Sequence, residues 1–518
     1  MSGHERVAAT LGQDDRARVD LARVLLAAGG GIALAASGSP YDLWPFAPVG
    51  VALALLAVRG STPGAAFALG FITGVTQYAV HISWITVYLG PAPLLGLTIV
   101  MAAWFGLGGI ASSSVWRLVP AARWLSTVLA IIGLAAVWTT RELLASTIPW
   151  GGFSWGRLAY SQADSPFGPV VGWAGIAGLT FAIALLGATA AVTVRSASRA
   201  HVTRRAVAPV AVAAILALVP AVPVEYDGTI RVGAAQGASE AGLLAPYEPG
   251  QIIAEHAAAT TLLDGEDLDL LVWPENAGER EPQTDPPTIA LLEDLQRQFT
   301  APIILGAVTA EGTRTYNTLL LWDDGVDAVY HKRHPVPFAE YLPSRAVLAP
   351  VLDAFGFLDL IPRDFSIDPD SANVFDVGGV RAGLAICFDV VDDALAREMV
   401  LDRGAQLILV PSNNADFGEG SAQNVQQLAI ARLRAMESGR SLVMISTVGT
   451  SAIVLADGSI LQRLPQYEPG AMVATLPLSA TVTPAIRFGR GIEVAIAIAA
   501  LLTVLAGAAA SPARRALR

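Results

Sequence analysis

Three side chains that could carry out acyl-transfer chemistry lie at the ends of apolar, strand-like runs. They are Glu275 in LVWPENAGER, Lys332 in YHKRHPVPFAEYLP and Cys387 in GLAICFDVV. Cys387 is the only cysteine of the 518 residues, and Lys332 is the only lysine. A cysteine thiolate is a strong nucleophile, a carboxylate in an apolar pocket can act as its general base, and a fixed ammonium can stabilise an oxyanion.

Each of these residues also has an ordinary structural interpretation. A lone buried cysteine is more often a small core residue than a nucleophile. Glu275 could be a surface carboxylate and Lys332 a solvated cation. The functional interpretation is favoured because three residues of complementary chemistry share a position at strand ends, and two of them are the only residues of their type.

The composition excludes several classes of protein. Apolar residues make up 53% of the chain, charged residues 15%, and the mean hydropathy is +0.52, which is too apolar for an ordinary soluble protein. The net charge of −11 provides no basic surface for nucleic acid. A single cysteine excludes an intramolecular disulfide. No CxxC or HExxH motif occurs, so no metal and no cofactor is predicted. His331 and His334 flank Lys332 but have no evident carboxylate partner.

Apolar runs of membrane-spanning length predict a polytopic α-helical membrane bundle of about eight spans. Ala33-Leu34-Ala35 resembles a signal-peptidase site, but further apolar runs follow at once, which favours an uncleaved first helix. The predicted spans are 21–38, 44–58, 64–88, 92–115, 124–146, 168–194, 206–224 and 491–510.

Arginine placement predicts the topology of these spans. If the N-terminus is cytoplasmic, each short basic cluster also falls on the cytoplasmic side, as the positive-inside rule requires. The clusters are Arg59, Arg117 with Arg123, the arginines of 195–205, and the tail Arg514, Arg515 and Arg518. We therefore expect a multi-pass protein of the plasma (inner) membrane with both termini in the cytoplasm. Its predicted parts are a cytoplasmic tail (1–20), a membrane domain (21–224), an extracytoplasmic catalytic domain (225–488), a last transmembrane helix (489–510) and a cytoplasmic basic tail (511–518).

The segment 225–488 alternates short β-like runs with helical ones, which predicts a layered α/β domain. Predicted strands are Thr229–Gln236, Leu268–Trp273, Pro302–Val308, Tyr316–Trp322, Val380–Cys387, Gln406–Pro411 and Ser441–Thr447. Predicted helices are Ile252–Leu263, Thr288–Phe299, Asp392–Arg403 and Ala422–Ser438.

The apolar stretch Ala346–Pro362 interrupts this alternation. It is too short to span a bilayer. It is either a buried loop or helix, or a flap that dips into the membrane surface beside the site.

The motifs WPE, YHKRHPVPFAEYLP, LAICFDV and VPSNNADFG resemble the nitrilase (carbon–nitrogen hydrolase) superfamily with its Glu–Lys–Cys triad. The form K-x-x-x-V-P-F-x-E-Y-x-P, the apolar spans and the loop IPWGGFSWGRLAYSQADSP resemble the apolipoprotein N-acyltransferase family within it. This resemblance implies an extracytoplasmic αββα nitrilase-like sandwich on the helix bundle. It also implies a monomer that moves an acyl chain from a phospholipid, through a Cys387 thioester, to a diacylated apolipoprotein at the lipid bilayer.

The resemblance assigns further residues. Glu340 would orient Lys332, and Asp389 would support the site. In this sequence Phe388-Asp389 replaces the Tyr-Glu common in the family, Asp416 replaces a Trp, Ala339 replaces a Gly, and Tyr247 could take an aromatic role that some members give to Trp. The residues expected to bind substrate are Trp150, Tyr247, Phe338, Tyr341, Phe388, Asn413 and Phe417.

Two alternatives use the same residues differently. A membrane-anchored amidase or nitrilase would resolve the thioester with water, but such a hydrolase needs neither eight spans nor a flap. A transporter or lipid-binding scaffold with an inactive domain would leave the intact triad unexplained. Intramembrane charge pairs would favour the transporter, and Arg141 with Glu142, near a span end, are the nearest candidates.

Overall fold

The computed structural model describes residues 20–121, 124–194, 202–239, 242, 248–279, 281–354, 356–361 and 364–510. It divides into two compact units. Of the described residues, one unit comprises those of 20–86, 90–220 and 488–510, and the other comprises those of 87–89 and 221–487. The predicted N-terminal and C-terminal tails and Tyr247 lie outside the described residues.

The first unit is helical. Among the described residues, four helices are long and apolar enough to cross a membrane: Pro91–Val119, Trp124–Ala145, Val170–Val194 and Pro484–Ala509. They coincide with the predicted spans 92–115, 124–146, 168–194 and 491–510. The other predicted spans remain predictions. The helices are α1 (Leu21–Ser37), α2 (Phe46–Val58), α3 (Pro63–His81), α4 (Ile85–Leu89), α5 (Pro91–Val115), α6 (Trp124–Ala145), α7 (Val170–Val194) and α8 (Val202–Ala217).

Glycines allow helices of this unit to approach closely. A β-carbon added at Gly74 of α3 would lie 2.5 Å from the α-carbon of Ala102 in α5. One added at Gly109 of α5 would collide with the carbonyl oxygen of Ala66 in α3. Small residues at such contacts are typical of helices that pack inside a membrane, because close backbone approach increases van der Waals contact.

Arg141 and Glu142 of α6 form a buried ion pair, with Nη2 3.1 Å from Oε1. The Glu142 carboxylate also accepts hydrogen bonds from the indole of Trp138 (3.0 Å), the main-chain N–H of Leu158 (3.2 Å) and the hydroxyl of Thr180 (3.1 Å). These bonds connect α6, the loop that follows it and α7. The pair therefore has a structural explanation and does not require the transporter hypothesis.

The second unit contains two six-stranded sheets, with the strand orders β12-β1-β2-β3-β4-β5 and β11-β10-β9-β8-β7-β6. Neighbouring strands β1, β2 and β3 are parallel, as are β7, β8 and β9. The strands are β1 (Thr229–Gln236), β2 (Leu270–Val272), β3 (Ile303–Glu311), β4 (Arg314–Trp322), β5 (Val326–His331), β6 (Val374–Val377), β7 (Val380–Leu384), β8 (Leu407–Ser412), β9 (Ser441–Ser446), β10 (Ala452–Val454), β11 (Ile460–Arg463) and β12 (Gly470–Pro477).

Alternation along the strands creates two apolar layers, because successive side chains point to opposite faces of a sheet. In β2, Leu270 and Val272 join the core between the two sheets, which also contains Leu384 and Leu409. Leu271 of the same strand packs instead against the helices that cover the first sheet. The helices of this unit are α9 (Gln251–Thr260), α10 (Pro286–Phe299), α11 (Arg345–Ala354), α12 (Asp393–Arg397) and α13 (Ala422–Ser438), and α14 (Pro484–Ala509) ends the described chain.

Most predicted elements of this unit are confirmed, and β1 and α13 have the predicted bounds. Several other bounds were wrong by one to three residues; β3, for example, was predicted to end at Val308 and ends at Glu311. Two predictions were wrong at their ends in a way that changes the type of structure. The strand predicted to reach Cys387 stops at Leu384, because the chain turns there. The helix predicted for Asp392–Arg403 is α12 followed by a π-helical turn, Glu398–Asp402. Five strands were not predicted: β5, β6, β10, β11 and β12.

The helical part of the segment Ala346–Pro362 is not buried. Its helix, α11, contains no buried residue, and Val347 and Val351 are 70% and 53% exposed. The interpretation of this stretch as buried was therefore wrong for its helix, whereas Ile361 beyond the helix is buried.

Candidate active site

Glu275 lies just beyond the end of β2, in the turn that follows Trp273-Pro274, and is buried. Its Oε1 accepts hydrogen bonds from the side-chain amide of Asn317 (2.6 Å) and the ammonium of Lys332 (3.0 Å). Its Oε2 accepts one from the main-chain N–H of Asn413 (2.6 Å). These three donors fix the position of the carboxylate.

Lys332 directly follows β5, and it is only 2% exposed. Its Nζ lies 3.0 Å from Glu275 and 2.9 Å from Glu340. Glu340 is held in turn by the main-chain N–H of Val336 (2.6 Å) and the amide of Asn317 (3.0 Å). The ammonium is thus shared by two buried carboxylates that one asparagine bridges.

The environment alters the proton affinity of both charged groups. Burial raises the pKa of the Glu275 carboxyl above its ordinary value, although the positive charge of Lys332 opposes the change. Burial alone would lower the pKa of Lys332, but the carboxylates of Glu275 and Glu340 outweigh it and hold that pKa well above its usual range. The site therefore pairs a carboxylate of increased basicity with a permanent cation.

Cys387 begins a 3₁₀ turn, Cys387–Val391, beyond the end of β7. Its φ angle is +49°, a left-handed conformation that costs a non-glycine residue about 1–3 kcal/mol. Burial, and secondarily the charge of Glu275, raises the pKa of its thiol to about 12. The group is therefore a thiol at neutral pH and needs a base to become a nucleophile.

Comparison with known proteins covers both units. The family model of the apolipoprotein N-acyltransferase N-terminal domain matches residues 30–189, and the family model of carbon-nitrogen hydrolase matches residues 231–484. An apolipoprotein N-acyltransferase of Mycolicibacterium smegmatis is 30% identical over 92% of this chain and 84% of its own. The chain belongs to the apolipoprotein N-acyltransferase family.

A second relative agrees with this membership. An apolipoprotein N-acyltransferase of Pseudomonas putida is 28% identical over 93% of this chain and 96% of its own. Among solved structures, an amidase from Nesterenkonia matches 49% of this chain and 92% of its own, with 22% identity and a TM-score of 0.36. The paired sheets and the carbon-nitrogen hydrolase match give the second unit of this family member the expected nitrilase-like fold.

Asp389 connects the turn that contains Cys387 to the residues around Lys332. Its carboxylate accepts hydrogen bonds from the main-chain N–H of Ile386 (3.1 Å), the hydroxyl of Tyr330 (2.8 Å) and the main-chain N–H of His334 (2.9 Å). Burial alone would raise the pKa of Asp389, but the hydrogen bond and charge of His334, with lesser effects from other donors, keep it below its usual value. The carboxylate thus fastens the turn of Cys387 to the segment on either side of Lys332.

The expectation that His331 and His334 lack carboxylate partners was wrong. Nδ1 of His334 lies 3.1 Å from Asp389, and Nε2 of His331 lies 3.6 Å from Glu311. Both partners are distant in sequence, and only the folded sheet brings them near.

The residues expected to bind substrate occupy different places. Phe338 is exposed, and its main-chain N–H donates to the carbonyl of Tyr341 (2.8 Å). Tyr341, Phe388, Asn413 and Phe417 are half-buried in the same unit. Trp150 is exposed and belongs to the helical unit. Their roles in substrate binding remain predictions.

Two residues at the site were not predicted. Asn317 bridges Glu275 and Glu340, and Gln427 donates a hydrogen bond to the sulfur of Cys387 (3.6 Å). Asn317 could have been noticed as one amide inside the apolar strand RTYNTLLLW. Gln427 could have been noticed because four of the five residues from Gln423 to Gln427, at the start of α13, carry amide side chains.

Gly306 of β3 permits the turn of Glu275 to lie against the strand. A β-carbon there would stand 2.5 Å from the α-carbon of Glu275 and 2.6 Å from the main-chain nitrogen of Asn276. We expect Gly306→Ala to displace Glu275 and lower the acyl-transfer rate by about 10- to 100-fold, because small displacements of reacting groups are costly.

The measurement is initial rate on a diacylated lipopeptide with phospholipid, together with the melting temperature. Gly64→Ala is the matched control, since its added methyl group would meet no atom within 4 Å. A normal rate in a folded Gly306→Ala protein would contradict this interpretation.

Proposed function

We propose that this protein transfers a fatty acyl chain from a phospholipid to the α-amino group of the N-terminal diacylglyceryl-cysteine of apolipoproteins. The observation that carries the proposal is the buried arrangement of Lys332 between Glu275 and Glu340, whose charges all act on the thiol of Cys387. Membership of the apolipoprotein N-acyltransferase family supports the choice of substrates.

In the first step Glu275 accepts the thiol proton while Cys387 Sγ attacks the ester carbonyl of the phospholipid. The ammonium of Lys332 stabilises the oxyanion of the tetrahedral intermediate. As the intermediate collapses, the carbon–oxygen bond breaks and Glu275 returns the proton to the leaving alkoxide. The products are a Cys387 thioester and a lysophospholipid.

In the second step the neutral amine of the acceptor attacks the thioester carbonyl. Glu275 accepts a proton from the amine, and Lys332 again stabilises the oxyanion. The carbon–sulfur bond breaks, the proton passes from Glu275 to Cys387, and the free thiol is restored. Glu340 acts throughout as the positioning residue for Lys332, to which it lies 2.9 Å away.

The hydrolase alternative is less well supported. Its chemistry requires only the second unit, whereas relatives named apolipoprotein N-acyltransferase match more than nine-tenths of this chain, including the helical unit. Helices of membrane-spanning length also suit substrates that reside in a bilayer, since extracting an acyl chain into water costs about 0.8 kcal/mol per CH₂.

We further propose that the protein is a monomer with residues 225–488 on the extracytoplasmic side and both termini in the cytoplasm. The placement of arginines along the spans supports this topology. Helix α11 would act as the membrane-surface flap, because it exposes Val347 and Val351. Such an apolar face favours the boundary between head groups and acyl chains.

We predict that Cys387 carries the acyl group covalently. Incubation with phospholipid should add the mass of one acyl chain to the peptide that contains Cys387, and hydroxylamine should remove it because it cleaves thioesters. Mass spectrometry measures both changes. Cys387→Ala should neither gain the mass nor acylate a diacylated lipopeptide. Acylation of that lipopeptide by a folded Cys387→Ala protein would overturn the mechanism.

The topology generates a separate prediction. An alkaline phosphatase reporter fused after Ala245 should be active, because that enzyme folds only outside the cytoplasm. The same reporter fused after Arg199 should be inactive. The reverse pattern of activity would show that the count of spans, or their orientation, is wrong.

A further inference from the structure

The sulfur of Cys387 receives a hydrogen bond from a residue outside the Glu–Lys–Cys set. Gln427 lies on α13, is fully buried, and its Nε2 is 3.6 Å from Cys387 Sγ. The two ends of a glutamine amide have opposite effects on the ionisation of a neighbouring thiol. Its NH₂ group stabilises a thiolate, whereas its carbonyl oxygen would accept a hydrogen bond from the S–H group and stabilise the neutral thiol. The function of Gln427 therefore depends on which end of its amide contacts the sulfur of Cys387.

One end of a hydrogen-bond chain fixes the amide orientation. The main-chain N–H of Gly449 can only donate, and it donates to Ser446 Oγ (2.9 Å). The hydroxyl of Ser446 is then free to donate to Oδ1 of Asn414 (2.6 Å). The NH₂ group of Asn414 consequently faces Gln427 and donates to its Oε1 (2.9 Å).

The other end of the hydrogen-bond chain indicates the same orientation of the Gln427 amide. The main-chain carbonyl of Val410 can only accept, and Ser412 Oγ donates to it (3.4 Å). The oxygen of Ser412 therefore accepts a hydrogen bond from Nε2 of Gln427 (3.1 Å). With one N–H of the amide directed to Ser412, the geometry leaves the other N–H for Cys387 Sγ.

We propose that Gln427 stabilises the thiolate of Cys387, and that Ser446 and Asn414 are positioning residues that keep its NH₂ group toward the sulfur. The inference rests on the proposed function insofar as Cys387 is the nucleophile. A thiolate develops when the thiol proton passes to Glu275, and it forms again as the leaving group when the amine attacks the thioester. Because Gln427, Asn414, Ser446 and Ser412 are all buried, water does not compete for these hydrogen bonds.

Alkylation of the full-length protein tests the proposal directly. Cys387 is the only cysteine, so the rate of carbamidomethylation by iodoacetamide reports this one sulfur, and no phospholipid is needed. Gln427→Met keeps a side chain of similar length without a donor. We expect it to slow alkylation about tenfold between pH 8 and 10, the effect of losing one hydrogen bond to an ionised group, and to shift the pH profile upward.

A second variant tests the chain of positioning residues. Ser446→Ala should slow alkylation about two- to threefold, because the Asn414 amide can then rotate, although Ser446 makes no hydrogen bond to Cys387. Asn424→Ala is the matched control. It removes a buried amide from the same helix, and that amide donates to Gln466 instead (3.4 Å). Its alkylation rate should equal that of the unmodified sequence.

The alkylation rates of these variants can either support or overturn the proposed role of Gln427. Normal alkylation and an unshifted pH profile in Gln427→Met would overturn the proposal, as would equal slowing by Asn424→Ala. Melting temperatures identify variants that fail to fold, and Ser446→Ala keeps the test valid if Gln427→Met is one of them. If phospholipid fails to acylate Cys387 while the alkylation pattern holds, the proposed function fails and this inference stands.

Discussion

The site is organised by a single buried cation. The ammonium of Lys332 lies 3.0 Å from Glu275 and 2.9 Å from Glu340 in a pocket that leaves the residue 2% exposed. Removing such an ion from water costs on the order of several kcal/mol, and a buried ion pair is weak evidence for stability. Asn317 and main-chain N–H groups are needed to complete the arrangement. The burial of the one lysine of this chain between two carboxylates is therefore better explained by the proposed chemistry than by stability.

In the proposed mechanism, the second carboxylate, Glu340, keeps Lys332 protonated throughout the reaction. When Glu275 accepts a proton it no longer balances Lys332, yet Glu340 still does. The ammonium therefore keeps a fixed partner while it meets the oxyanion, and little reorganisation is needed at that moment. Asp389 stabilises the arrangement in another way, because its hydrogen bonds join the strained turn of Cys387 to the segment around Lys332.

The sequence predicted the central strands but not the edges of the sheets, and the catalytic roles of Glu275, Lys332 and Cys387 remain predictions. Four of the five strands that were not predicted, β5, β6, β11 and β12, lie at sheet edges, where fewer buried side chains leave a weaker apolar pattern. The contacts of Asp389, Asn317 and Gln427 were also beyond prediction. Each depends on residues 23 to 59 positions away or on amide orientation, which no local pattern encodes.

The central claim is that Glu275 removes the proton from a buried thiol. The most direct test is the rate of a single turnover of Cys387 acylation by phospholipid between pH 4 and 10. Since burial raises the pKa of Glu275 above its ordinary value of 4.5 and that of Cys387 to about 12, the rate should rise through the carboxyl pKa and then reach a plateau. Glu275→Gln should abolish the plateau. A rate that climbs about tenfold per pH unit across the whole range would mean that only preformed thiolate reacts, and would contradict the role of Glu275.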